Sequence, residues 1–129
     1  MNVKLFLAVA AAISVLYGIA FVVVPESVGA LFAVPPEAHN ILTSRYFGAT
    51  LLALGLAFWF VRETSDQTAL RGLLMALAVG SLVGAIISIW GTVAGTVNAM
   101  GWSSVLIYVA LLAGCAYYLF GDRTVAGPR

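Results

Sequence analysis

Long apolar stretches alternate with short polar ones along this chain, and the third apolar stretch is the most regular. From Arg71 to Met100 it carries no internal charge, yet Gly72, Ala76, Gly80, Gly84, Ser88 and Thr92 recur at every fourth position. Residues at this spacing lie in a nearly straight row along one side of a helix. In lipid, such a row of small residues lets a neighbouring backbone approach closely. More than about 18 apolar residues in succession are long enough to span a membrane. The stretch therefore predicts a central membrane helix that packs through Gly72, Ala76, Gly80 and Gly84, with Gly91 and Gly95 adding a GxxxG on an adjacent face.

Three other runs have span length. Leu5 to Val24, between Lys4 and Pro25, offers about 20 residues for a hydrocarbon core of about 30 Å, and carries its own small-residue stripe of Ala10, Ser14 and Gly18. A cleaved signal peptide is the rival reading, with Ala8-Val9-Ala10 as its cleavage site. That site leaves too little apolar run before it and too much after it. Ile41 to Val61 contains Gly48, Ala49, Ala53, Gly55 and Ala57 as close-packing positions and closes on Phe58, Trp59 and Phe60, which suit an interfacial aromatic belt. The last run, from Trp102 to Phe120, ends on Tyr117, Tyr118 and Phe120. The pattern predicts an all-α fold, an integral membrane four-helix bundle. Residues 1–129 form one transmembrane domain, with spans at about 4–24, 41–61, 71–97 and 102–120.

The polar stretches supply the connections. Pro25 to Asn40 holds three prolines together with Glu26, Glu37 and His39. Pro25 lacks a donor and should close the first helix, while Pro36 and Glu37 suit the first turn of the next. Between them, Val28, Leu31 and Phe32 fit one turn lying flat at the membrane surface, against the plainer alternative of a loop resting on the bundle. Arg62 to Ala69 is short, so the second and third spans should be antiparallel neighbours, and Asn98 to Gly101 reads as a turn. With four spans, Lys4, Arg62, Arg71, Arg123 and Arg129 fall on one side and Arg45 on the other, which places both termini in the cytoplasm.

Composition narrows the function classes. Of 129 residues, 63% are hydrophobic and 9% charged, far from the roughly 25% charged residues of a soluble domain. Membrane lipids are thus the expected surroundings. A net charge of +1 from scattered basic residues offers no footprint for nucleic acid, which is excluded as a partner. Cys115, the single cysteine, lies in an apolar run and has no internal disulfide partner.

Candidate chemistry centres on Arg45. If the second span starts near Pro36, Arg45 lies roughly 13 Å along it, where an ionisable side chain usually has a partner. Ligand binding by Arg45 with Glu26, Glu37 and His39 is one reading; a guanidinium that snorkels to the interface and only anchors the helix is the other. The same outer face should also gather Ser44, Thr92, Thr96, Asn98, Ser103 and Ser104. That set makes either a shallow polar pocket or ordinary interfacial polarity. His39 and Cys115 fall on opposite sides, too few and too far apart for zinc, so no metal is assigned. No GxGxxG, nucleophile elbow, HExxH or P-loop occurs, so neither a catalytic residue nor a cofactor is assigned.

The run Arg45-Tyr46-Phe47-Gly48-Ala49, with Leu54-Gly55-Leu56, Pro25-Glu26 and Asn98-Ala99-Met100-Gly101-Trp102, resembles a family of small four-helix bacterial inner-membrane proteins of unknown function. These are similar in size and pattern to the DoxX-like group. The resemblance covers nearly the whole chain and implies the four-helix membrane fold and a bacterial inner (plasma) membrane. It brings no substrate and no catalytic residue.

Three functions compete. A non-enzymatic protein that binds a lipid-like ligand, or serves as an accessory subunit of a larger membrane complex, fits the glycine-lined groove; a spare stripe would suit a homodimer. A membrane enzyme acting on a lipid or quinone from the outer face would use His39 with Glu26 or Glu37 as acid and base. A small transporter comes last: small multidrug exporters depend on a carboxylate in the first span, and no Asp or Glu lies between Lys4 and Pro25.

Overall fold

The structure, a computed structural model, describes residues 2–121. Its elements are α1 (Val3–Val23), α2 (Pro25–Leu31), α3 (Ala38–Val61), α4 (Gln67–Val93) and α5 (Gly101–Ala116), the last running into a π-helical turn (Tyr117–Gly121). Four of them, α1, α3, α4 and α5 with its π turn, are long and apolar enough to cross a membrane. The chain is an all-helical, multi-pass membrane protein.

Local chemistry sets the helix ends. Asn2 caps α1, its Oδ1 accepting from the Leu5 N–H at 2.8 Å. Asp66 caps α4 by accepting from Thr68 and Ala69 at 3.0 and 3.1 Å, so α4 starts before the apolar run does. Pro25 opens α2, where a missing donor costs nothing. Pro36 stays outside α3, which begins at Ala38 behind Glu37.

Two residues in left-handed backbone end their helices in the same way. Gly95 has φ +77°; its N–H donates to Thr92 O at 3.2 Å, and that of Thr96 donates to Gly91 O at 2.9 Å. This is the Schellman arrangement, and it ends α4 at Val93, short of the expected 97. Gly95 is therefore a helix stop and not a packing position. At the end of α2 the same pair of bonds runs from Ala33 to Ala30 O and from Val34 to Gly29 O, with Ala33 at φ 57°.

The spans associate as two pairs, α1 with α3 and α4 with α5. A Cβ on Gly48 would stand 2.7 Å from Gly18 O, and one on Gly18 would stand 2.9 Å from Gly48 O, so the first pair crosses backbone on backbone. Gly55 extends that contact against Ala11 and Val15. In the second pair, Gly84 faces the ring of Tyr108. The consecutive helices α3 and α4, expected as close neighbours, each pack mainly on another partner. The short connection holds their ends together, while the glycine edge of α3 packs on the small-residue stripe of α1.

The central row of α4 is not its packed face. Gly72 and Gly80 have no atom within 4 Å of where a Cβ would stand, nor has Gly91, and Ala76 is exposed. A step of four residues turns 400°, so such a row drifts about 40° per repeat around the helix. Of the row's glycines only Gly84 arrives at the interface, and Thr92, at the end of the row, lies against Gly101 of α5. The buried face is Leu70, Leu74, Leu77, Ser81 and Ala85, whose mixed steps of three and four hold it in line.

The two pairs join at the end holding the start of α1 and the π turn. Phe6 and Leu7 meet Phe58 of α3, Leu70 and Leu74 of α4, and Cys115 and Tyr118 in a common core. At that end Lys4 Nζ pairs with Glu63 Oε2 at 2.7 Å, and the Arg62 guanidinium lies 3.5 Å from the centre of the Trp59 ring. The hydrogen-bonded Lys4 ammonium holds the Glu63 carboxyl below its ordinary range. Both partners of this pair are more than half exposed, so it contributes little to stability.

Candidate functional site

Beyond the core, a half-enclosed cavity of about 310 Å³ separates the two helix pairs. All four spans wall it: Ile13, Ser14, Tyr17 and Phe21 from α1, Phe47, Thr50, Leu51 and Leu54 from α3, Leu73, Ala76, Leu77, Gly80 and Ser81 from α4, and Ser104, Ile107, Tyr108 and Leu111 from α5. Phe32, just past α2, completes the wall. Most of this surface is aliphatic or aromatic. Its polar groups are hydroxyls, and none of its residues is ionised at neutral pH.

Glycine shapes the α4 side of the cavity in two different ways. Gly84 lets the Tyr108 ring lie against the α4 backbone, since a Cβ there would come within 2.5 Å of the ring. Gly80, with open space where its Cβ would be, instead widens the cavity. Across from them Phe21 and Phe47 meet edge to face, their ring centres 5.1 Å apart at 80°, and join α1 to α3 along the opposite wall.

The hydroxyls on the wall differ in what they bond. Thr50 Oγ1 donates to its own helix, to Tyr46 O at 3.1 Å, as a mid-helix Ser or Thr commonly does. Ser81 does not. It is 2% exposed and its Oγ has no hydrogen-bond partner, an arrangement that costs about 1–3 kcal/mol for a buried donor. It sits near the middle of α4, far from either helix end.

A clasp closes the far end of the bundle, opposite the core. Asn98, in the turn before α5, donates from its backbone N–H to Phe32 O at 3.1 Å and from Nδ2 to Leu31 O at 2.9 Å, while its Oδ1 accepts from Met100 N. Two stretches 67 residues apart in sequence are thus tied together. The bonds fix the end of α2, and with it Phe32, at the rim of the cavity.

The match to known families rests on this same stretch of chain: residues 8–125 fit a family model described as Domain of unknown function (DUF8292). The chain belongs to the DUF8292 family. Every cavity-lining residue of this DUF8292 protein, and the Asn98 clasp, falls inside the matched range. No curated protein and no solved structure matches it.

The ionisable residues singled out from sequence stand elsewhere. Arg45 is exposed, and among the described residues it pairs with neither Glu26 nor Glu37. Glu37 Oε2 lies instead 3.4 Å from His39 Nε2, both side chains well exposed. Neither these three nor Glu26 lines the cavity. Of the polar outer set only Ser104 reaches it; Thr92 donates to Ser88 O at 2.7 Å, and Asn98 makes the clasp. Among the described residues, no three His, Cys, Asp or Glu side chains are placed to share a metal ion. Sequence reasoning missed Ser81 and Tyr108. The available signal was a hydroxyl and a phenol deep inside apolar runs, one of them next to Gly80.

Proposed function

We propose that this membrane protein is a non-enzymatic binding component that holds a lipid-like molecule between its two helix pairs. One observation carries the reading: a cavity of about 310 Å³, walled by all four spans and lined almost wholly by apolar side chains. Its volume is at the lower end of the range for small-molecule sites, about 300–1,000 Å³. A half-open apolar cavity walled by membrane-spanning helices is filled most readily from the surrounding lipid. The test is lipid analysis of the purified protein. Wild type should copurify with a lipid species enriched over the bulk extract, and Gly80→Leu, which places a side chain in the cavity, should lose that species while remaining folded. Equal occupancy in wild type and Gly80→Leu would overturn the reading.

We also propose a bacterial inner (plasma) membrane with both termini in the cytoplasm. Lys4, Arg62 and Arg71 stand at the end where the core joins the pairs, against Arg45 towards the other end. Arg123 and Arg129, which the sequence assigns to the same side as Lys4, lie outside the described residues. A cysteine placed at Ala38 or Ala99 should react with an impermeant thiol reagent added outside the cell, and one at Ser65 should not. Labelling at Ser65 alone would invert the orientation.

A further inference from the structure

We propose that the cavity selects an uncharged lipid bearing a hydroxyl or carbonyl oxygen, and that Ser81 is the residue that recognises this oxygen. The inference rests on the reading that the cavity holds a lipid-like molecule, and it adds the chemical class. Three observations lead to it. First, no residue on the wall is ionised, and Arg45, Glu26, Glu37 and His39 all lie outside it. A charged headgroup drawn into the cavity would stay unpaired in a medium of low dielectric, at a large cost.

Second, Ser81 is a buried hydroxyl without a partner on a cavity wall, although its own helix offers a carbonyl one turn back. A pure hydrocarbon gives it nothing. A hydroxyl or carbonyl oxygen gives it an acceptor, and a hydroxyl can also donate to it. Ser81 Oγ has less than 1 Å² exposed, so it meets a ligand oxygen only after a turn about χ1 to another staggered position. Third, Ser81 lies near the middle of α4, not at an end. A phospholipid held at the interface by its headgroup does not bring that headgroup to this depth, whereas a lipid with one small oxygen function does.

The experiment uses the full chain in phosphatidylcholine vesicles and three photoreactive diazirine probes of equal chain length: an alcohol, a hydrocarbon and a carboxylate. Crosslinks are mapped by peptide mass spectrometry. The alcohol is expected to label cavity-lining peptides about fivefold to tenfold more than the hydrocarbon, the scale of one recovered hydrogen bond. Ser81→Ala should bring the alcohol down to the hydrocarbon level without lowering hydrocarbon labelling, and should fold, because it removes an unpaired polar group. Equal labelling by alcohol and hydrocarbon in wild type overturns the inference. An alcohol preference that survives Ser81→Ala, or carboxylate labelling as strong as the alcohol's, overturns it as well. In each of these cases the cavity still holds a lipid chain; failure of all three probes to label it would remove the underlying reading too.

Discussion

Gly48→Leu is expected to lower the melting temperature of the detergent-solubilised protein steeply, while Gly80→Leu melts at or above wild type. Both replace glycine by leucine inside a membrane-spanning helix, so any general effect of the substitution cancels between them. The difference lies in what each new side chain meets. At Gly48 the first carbon would fall 2.7 Å from Gly18 O and 2.9 Å from Phe21 Cβ. A backbone oxygen on a packed helix cannot swing aside as a side-chain tip can, so α1 and α3 must separate. Overpacking in a core costs about 1–3 kcal/mol where neighbours can yield, and here the upper end applies. At Gly80 nothing lies within 4 Å, and leucine is a better helix former than glycine by roughly 0.5–1 kcal/mol. Thermal unfolding of the two variants beside wild type decides the matter. A Gly48→Leu protein that melts like its parent would remove the backbone crossing, and a Gly80→Leu protein destabilised as steeply as Gly48→Leu would remove the open space at Gly80.

That contrast also marks how far the amino-acid sequence reads. The four spans were legible because their existence depends on length and apolarity alone, and lipid imposes both. The stripe of α1 was legible too, and Ser14 and Gly18 are buried. Which glycine faces a helix was not, because Gly48, Gly80, Gly84 and Gly95 look alike in one dimension. Their roles separate into helix crossing, cavity wall, ring seat and helix stop only when drift around the helix and the left-handed φ of Gly95 are known. The candidate site was legible least of all. Arg45 drew attention because a charge in an apolar run is conspicuous, whereas the cavity arises from two helix pairs that join at one end and are clasped at the other. Leu31 and Asn98 have no local pattern that would couple them.

Phe58→Ala is expected to destabilise the protein by about 3–5 kcal/mol, the range for truncating a buried aromatic side chain. Phe58 is 1% exposed, and it is the buried α3 residue of the core in which α1, α4 and the π turn also meet. Its removal leaves a hole that lipid chains outside the bundle cannot reach, so neighbouring atoms lose contacts without replacement. The loss falls where the two helix pairs are joined, and the effect should therefore extend to the cavity that both pairs wall. Labelling of cavity peptides by a photoreactive hydrocarbon should fall together with the melting temperature, although Phe58 does not itself line the cavity. Phe58→Leu retains most of the volume and should preserve labelling with a milder loss of stability. Asn98→Ala removes two exposed side-chain bonds at the opposite end, one to Leu31 O and one from Met100 N, and should cost about 1–2 kcal/mol. If Asn98→Ala lowered stability as much as Phe58→Ala, the clasp would be the principal joint between the pairs. If Phe58→Ala lost stability but kept full cavity labelling, the shape of the cavity would belong to the pairs separately and owe nothing to the core beneath it.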